Sequence, residues 1–105
     1  MRKVLICVSN FNDYREIKAV KEYLQSRFNI ALDNTTNSIP SKIKTKDLDV
    51  EVVVPREYLR GVYINTLVFT GNALYEYSDI IENVLTPSLY LKNREGYVEE
   101  VLISL

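Results

Sequence analysis

Val4-Leu5-Ile6-Cys7-Val8 is an unbroken run of apolar residues. A strand with one wet face alternates apolar and polar positions, whereas one covered on both faces, as in the middle of an α/β sheet, can be apolar throughout. Thr66-Leu67-Val68-Phe69 has the same character. Two such strands decide between the topologies that fit the rest of the chain, and they point to a sheet with helices on both faces.

Working outward from the first run, Ser9-Asn10-Phe11-Asn12 is a polar turn, and Asp13 with Glu16 three positions on makes a helix-start pair in which each side chain can satisfy a free amide. The helix that follows is expected to bury Ile17, Val20, Leu24 and Phe28, with Lys18, Lys21, Glu22 and Gln25 outward. Residues 29–41 turn polar and read as a long loop. Lys42-Ile43-Lys44-Thr45-Lys46 alternates and Val50-Glu51-Val52-Val53-Val54 follows a turn, giving an antiparallel hairpin closed by Pro55.

Residues 56–63 connect to a second apolar strand over 64–69. Gly71 is expected to permit a tight exit, and Asn72 to cap a helix from Ala73 that presents Leu74, Tyr77, Ile80, Ile81, Val84 and Leu85. Pro87 is expected to restart a short turn rather than continue that helix. Residues 97–105 form a last strand with Val101-Leu102-Ile103 as its buried core.

The expected fold class is therefore α/β, a small three-layer-like sheet, mostly parallel with an edge hairpin, in the order β-α-β-β-β-α-β. The alternative is a ferredoxin-like β-α-β-β-α-β arrangement. At 105 residues the expectation is one domain, residues 1–105. Thirteen basic residues against fourteen acidic ones leave a net charge of -1, so no global field draws the chain to nucleic acid or an anionic membrane. A single cysteine, Cys7, makes no internal disulfide, and no apolar stretch approaches the roughly 20 residues of a spanning helix; a cytoplasmic, reduced setting is expected.

In a parallel sheet the turns Ser9-Asn10-Phe11-Asn12 and Thr70-Gly71-Asn72 lie at the carboxyl ends of their strands, each feeding a helix. Ser9, Asn10, Asn12, Thr70, Gly71 and Asn72 are thus the candidate ligand-binding set, for an anion such as a phosphate. The favoured reading is that these turns only cap their own helices, because no glycine-rich phosphate loop precedes either. The sequence has no histidine, which removes the commonest general base, the histidine-dependent nucleophile systems and the commonest metal ligand. No catalytic residue, metal or cofactor is expected. Lys42, Lys44 and Lys46 place three ammonium groups on one strand face, a possible contact for phosphates that edge strands also use against association. Tyr58, Tyr63, Tyr75 and Tyr90 fit no core stripe, and Tyr58, Tyr63 and Tyr75 with Arg60 form the candidate partner-binding set.

Taken together, these pieces resemble the middle of the ATPase domain of phage terminase large subunits. Residues 4–8 and 12–24 are similar to the strand and helix that follow the nucleotide loop in that family, residues 44–54 to its hairpin, and Arg60-Gly61 to an arginine-glycine pair before its metal-binding strand. Leu85-Thr86-Pro87-Ser88-Leu89 is similar to the segment leading to its next strand. The family's phosphate loop would precede this chain, and its aspartate and glutamate, which hold magnesium and position water, fall at Gly71 and Asn72. A glycine offers no ligand and an amide cannot act as a base. The resemblance implies an ATPase core without ATPase chemistry. The expected function is that of a small non-enzymatic interaction protein of viral type that binds a protein partner, a packaging or helicase-like motor among the candidates. The alternatives are a nucleic-acid-binding module on the lysine strand and a small nucleotide-binding protein.

Overall fold

The computed structural model describes residues 1–56, 59, 63–91 and 98–104, with the side chains of residues 90 and 91 apart. Five strands, β1 (Arg2–Cys7), β2 (Lys42–Lys44), β3 (Leu48–Val53), β4 (Thr66–Thr70) and β5 (Glu99–Ile103), form one sheet in the order β2-β3-β1-β4-β5. β1 runs parallel to both β3 and β4, and β4 parallel to β5; β2 alone is antiparallel, paired with β3. The mostly parallel topology with an edge hairpin is the observed one, and the ferredoxin-like alternative is excluded.

Continuous apolarity in β1 has its cause in this position. Val4, Ile6 and Val8 face one layer with Ile17, Val20 and Leu24 of α1 (Tyr14–Phe28) and with Val50, Val52 and Val68. Leu5 and Cys7 face the other, with Leu67, Phe69, Ala73, Ile81, Leu85 and Leu89. All five residues 4–8 are inaccessible to solvent, and each aliphatic one buried in this way contributes about 1.5–3 kcal/mol.

α1 is capped by Asp13, whose carboxylate accepts from the amides of Arg15 and Glu16. It ends at Asn29, which takes the left-handed conformation with φ 57° while its N–H donates to the Gln25 carbonyl. Asparagine tolerates this region better than most side chains, which closes the helix where Phe28 has met the sheet. The reciprocal half of the expected capping box is absent: Glu16 does not reach back to the Asp13 amide, which donates instead to the Asn10 carbonyl. Lys21, expected outward, is 5% exposed. Its ammonium donates to the carbonyls of Asp33 at 2.6 Å and Thr36 at 2.9 Å, pinning the polar loop against the helix.

The second helical layer begins at α2 (Gly71–Glu76), continues in α3 (Ser78–Ile80), widens into a π-helical stretch (Ile81–Leu85) and ends in α4 (Thr86–Leu91). A new α-helical element does start beside Pro87, at Thr86, but no break precedes it, since the π stretch runs straight into it. A proline inside an α-helix lacks a donor and crowds the carbonyl four residues back, and the wider π turn immediately before it gives that carbonyl room. The π register is carried by the Thr86 N–H, which donates to the Ile81 carbonyl. Ser88 then returns its hydroxyl to the Val84 carbonyl at 2.9 Å.

The last strand also departs from expectation. Leu102, read as core, is 53% exposed, and Val101 and Ile103 are half-buried. β5 is an edge strand, so its periphery lacks the second neighbour that buries β1 and β4. At its amino end Arg2 bridges Glu99 at 2.9 Å and donates to the Thr66 hydroxyl, while the guanidinium lies 5.2 Å from the Phe28 ring centre.

Candidate functional site

β1 and β4 are adjacent parallel strands from which the chain leaves towards opposite faces, α1 on one and α2 on the other. Such a divergence is where open α/β sheets hold ligands. The candidate turns do converge there. Cys7 is paired with Phe69, and the next residues along each strand bring Ser9 and Thr70 onto one side chain, the Glu16 carboxylate.

Glu16 is fully buried. One oxygen, Oε1, accepts from the Ser9 hydroxyl at 2.6 Å and from the Asn10 amide at 3.2 Å; the other, Oε2, accepts from the Ser9 amide at 2.9 Å and from the Thr70 hydroxyl. Every partner donates. A carboxylate has acceptor sites only, so the cage suits it, and a buried charge left without such partners would be costly. Thr70 also caps α2: its hydroxyl oxygen accepts from the Ala73 amide at 3.0 Å. The expected cap, Asn72, is not the cap.

The Asn10 side chain and the remaining candidates stand outside this cage. Asn10 Oδ1 accepts from the Asn12 amide at 2.8 Å, an Asx turn that holds the loop's shape. Asn12 is exposed, and Asn72 Nδ2 lies 3.4 Å from Asp13 Oδ2. Gly71 is the first residue of α2, with neither a positive φ nor any atom within 4 Å of an added Cβ, so the tight exit expected of it is not what the geometry requires. Beside these residues lies an open depression of about 470 Å³ lined by Asp13, Arg15, Lys18, Glu22, Asn72 and Ser104. Its two cations and two carboxylates balance, giving no preference for an anion.

The partner-binding candidates separate. Tyr75, on α2 at the carboxyl edge, is 88% exposed. Tyr63 lies at the amino end of β4, half-buried, where its hydroxyl accepts from Asn65 Nδ2 at 3.0 Å. Five residues of strand at about 3.3 Å each lie between these two edges. Tyr58 and Arg60 lie outside the described residues. Sequence reasoning did not single out Tyr14, 56% exposed, or Phe11, exposed in the turn before α1; both stand on the same carboxyl edge as Tyr75.

The lysine strand stands beside carboxylates. Lys42 is paired across the hairpin with Glu51 and Lys44 with Asp49. The ion pairs to these two carboxylates come from Lys3, at 3.0 Å to Glu51 and 3.5 Å to Asp49. Lys46 is exposed beyond the strand end. Cations and anions alternate over this face, which is unlike the one-signed stripe that follows a phosphate backbone.

Among the described residues no group of three or more histidine, cysteine, aspartate or glutamate side chains converges to hold a metal. No described helix is long and apolar enough to cross a membrane. Cys7 is buried between the sheet and the second helical layer, and burial pushes its thiol up to about 12, far from the reactive thiolate range. No family model, curated protein or solved structure matches the chain.

Proposed function

We propose that this protein acts by binding a protein partner and not by catalysis, on a nucleotide-hydrolase-like core of the terminase kind whose anion-handling edge serves the fold instead. The observation that carries this reading is the Glu16 carboxylate held by the Ser9 and Asn10 amides and the Ser9 and Thr70 hydroxyls. Those donors, at the divergence of β1 and β4, are the groups a phosphate would need, and a negative charge already stands among them. The partner surface is the carboxyl edge of the sheet, where the exposed aromatics Phe11 and Tyr14 lie on the α1 side and Tyr75 on the α2 side. Tyrosine supplies large contact area with few rotatable bonds, a feature of interface centres.

The test has two arms. Wild-type protein with ATP, GTP or ADP and magnesium should show no rise in melting temperature and no nucleotide hydrolysis, since a ligand at 100 times its dissociation constant would add about 2.7 kcal/mol. Stabilisation or turnover sensitive to Thr70→Val would defeat the non-catalytic reading. Capture of a purified packaging or helicase-like motor subunit should weaken at least about tenfold with Tyr75→Ala, as a central interface aromatic does. Capture indifferent to Tyr75→Ala and Tyr14→Ala would remove this face as the partner surface.

A further inference from the structure

We infer that the space held by the Glu16 carboxylate is an oxyanion-binding site closed by an internal ligand, and that it takes up a free monocarboxylate when that side chain is cut back. The cage belongs to the strand ends rather than to Glu16 itself. Ser9 and Asn10 lie beyond β1, Thr70 at the end of β4, and their positions are set by the parallel β1–β4 ladder. Ser9 and Thr70 are themselves buried. Thr70 has a further constraint, its oxygen being engaged with the Ala73 amide, which turns its hydroxyl hydrogen towards Glu16. The donors therefore remain aimed at one point after the acceptor is removed, and two amides with two hydroxyls around a two-oxygen group match a carboxylate.

Glu16→Ala removes the carboxylate and one stem carbon and leaves a pocket that is polar on the donor side. Formate is the fitting probe. A covalent C–C spacing of about 1.5 Å becomes a non-bonded one of about 3.5 Å, so formate, which lacks a stem carbon, fits better than acetate. The inference concerns the stability of a variant and stands separately from partner binding.

The experiment is urea unfolding of Glu16→Ala in sodium formate, acetate, phosphate and chloride at matched ionic strength, beside wild type. At about ten times its dissociation constant formate raises the folded-to-unfolded ratio of the variant roughly tenfold over chloride, with acetate behind it and wild type unmoved. Should Glu16→Ala stay unfolded in chloride, recovery of the folded signal in formate is the same positive result. Glu16→Ser, whose own hydroxyl can meet one donor, carries the comparison if the alanine variant folds in no salt. Equal responses to formate and chloride in whichever variant folds, or a formate effect of the same size in wild type, overturn the inference. A larger effect from phosphate overturns the carboxylate assignment.

Discussion

Glu16 on α1 and Thr70 at the end of β4 are hydrogen bonded although 54 positions separate them in the chain. The bond joins the helix of one face to the strand that launches the helices of the other, and it is made in a site closed to water. Thr70→Val keeps the shape, leaves Glu16 short of one donor and the Ala73 amide without its cap. The expected loss is roughly 2–3 kcal/mol, from a buried charged hydrogen bond and a cap together. Urea midpoints read it, and Thr70→Ser, which restores the hydroxyl, should recover more than half.

Lys21 ties residues 33–36 to the helix through two carbonyls. Lys21→Met retains the buried stem and loses the donors, so the loop should detach locally, with faster amide exchange and protease cleavage over 33–38 and a global loss of about 2 kcal/mol. Intact protection over that span would show the loop to be held by its apolar residues alone.

The same loop carries a pH signature. The Thr35 hydroxyl and then the Thr35 amide, both donating to Asp33, hold its carboxyl below the ordinary carboxylate range. A depressed folded value contributes order above the unfolded value and loses it as pH falls through the folded one. The Asp33–Thr35 turn should therefore persist through mild acid, below the midpoint of an unstructured aspartate. NMR titration of Asp33 with its Thr35 neighbour reads it, and an ordinary midpoint would contradict the geometry.

Gly71 opens a helix with free space around it. Gly71→Ala should stabilise by about 0.4–1 kcal/mol, because alanine restricts the unfolded chain and meets nothing in the folded one. Thermal unfolding decides this, and a destabilised variant would mean that the edge needs the bare backbone.

Cys7 supplies a probe of global opening. Its thiol is raised from 9.0 to about 12 by burial. A raised folded value gives stability that is full below the unfolded value and is lost as pH climbs towards the folded one, so the protein should weaken between about pH 9 and 12. At pH 8 thiol labelling should proceed at the rate of unfolding, and Cys7→Ser, which puts a hydroxyl in an apolar layer, should destabilise by roughly 1–3 kcal/mol. Rapid labelling of the native protein would contradict the burial.

The sheet was legible because its evidence is local and periodic. Residues 4–8 and 67–69 carry no polar position, which double coverage satisfies, and Pro55 marks the end of the hairpin. The site was half legible. Ser9 and Thr70 were found from their places after apolar strands, but Glu16 was assigned to a helix cap and Lys21 to solvent. A signal existed: Glu16, Val20 and Leu24 form one i, i+4, i+8 row, with Ile17 and Lys21 on the row beside it, so both charges lie on the buried stripe. Their acceptors and donors come from distant segments, and charge alone reads as surface. Thr70 displaced Asn72 as cap because the strand ends one residue before the helix, leaving no turn for Asn72 to occupy. Leu102 was misplaced because a short apolar triplet does not say which strand lies outermost.

The placement of β1 between β3 and β4 bears on how the chain is made. A ribosome that has released residues 1–56 has delivered β1 and its hairpin partners but not β4, so the most apolar strand has one bare flank and Glu16 lacks its threonine. Nascent chains halted there present a sticky ribbon to chaperones and to each other. Synthesis past Thr70 is what covers that flank and supplies the missing hydroxyl.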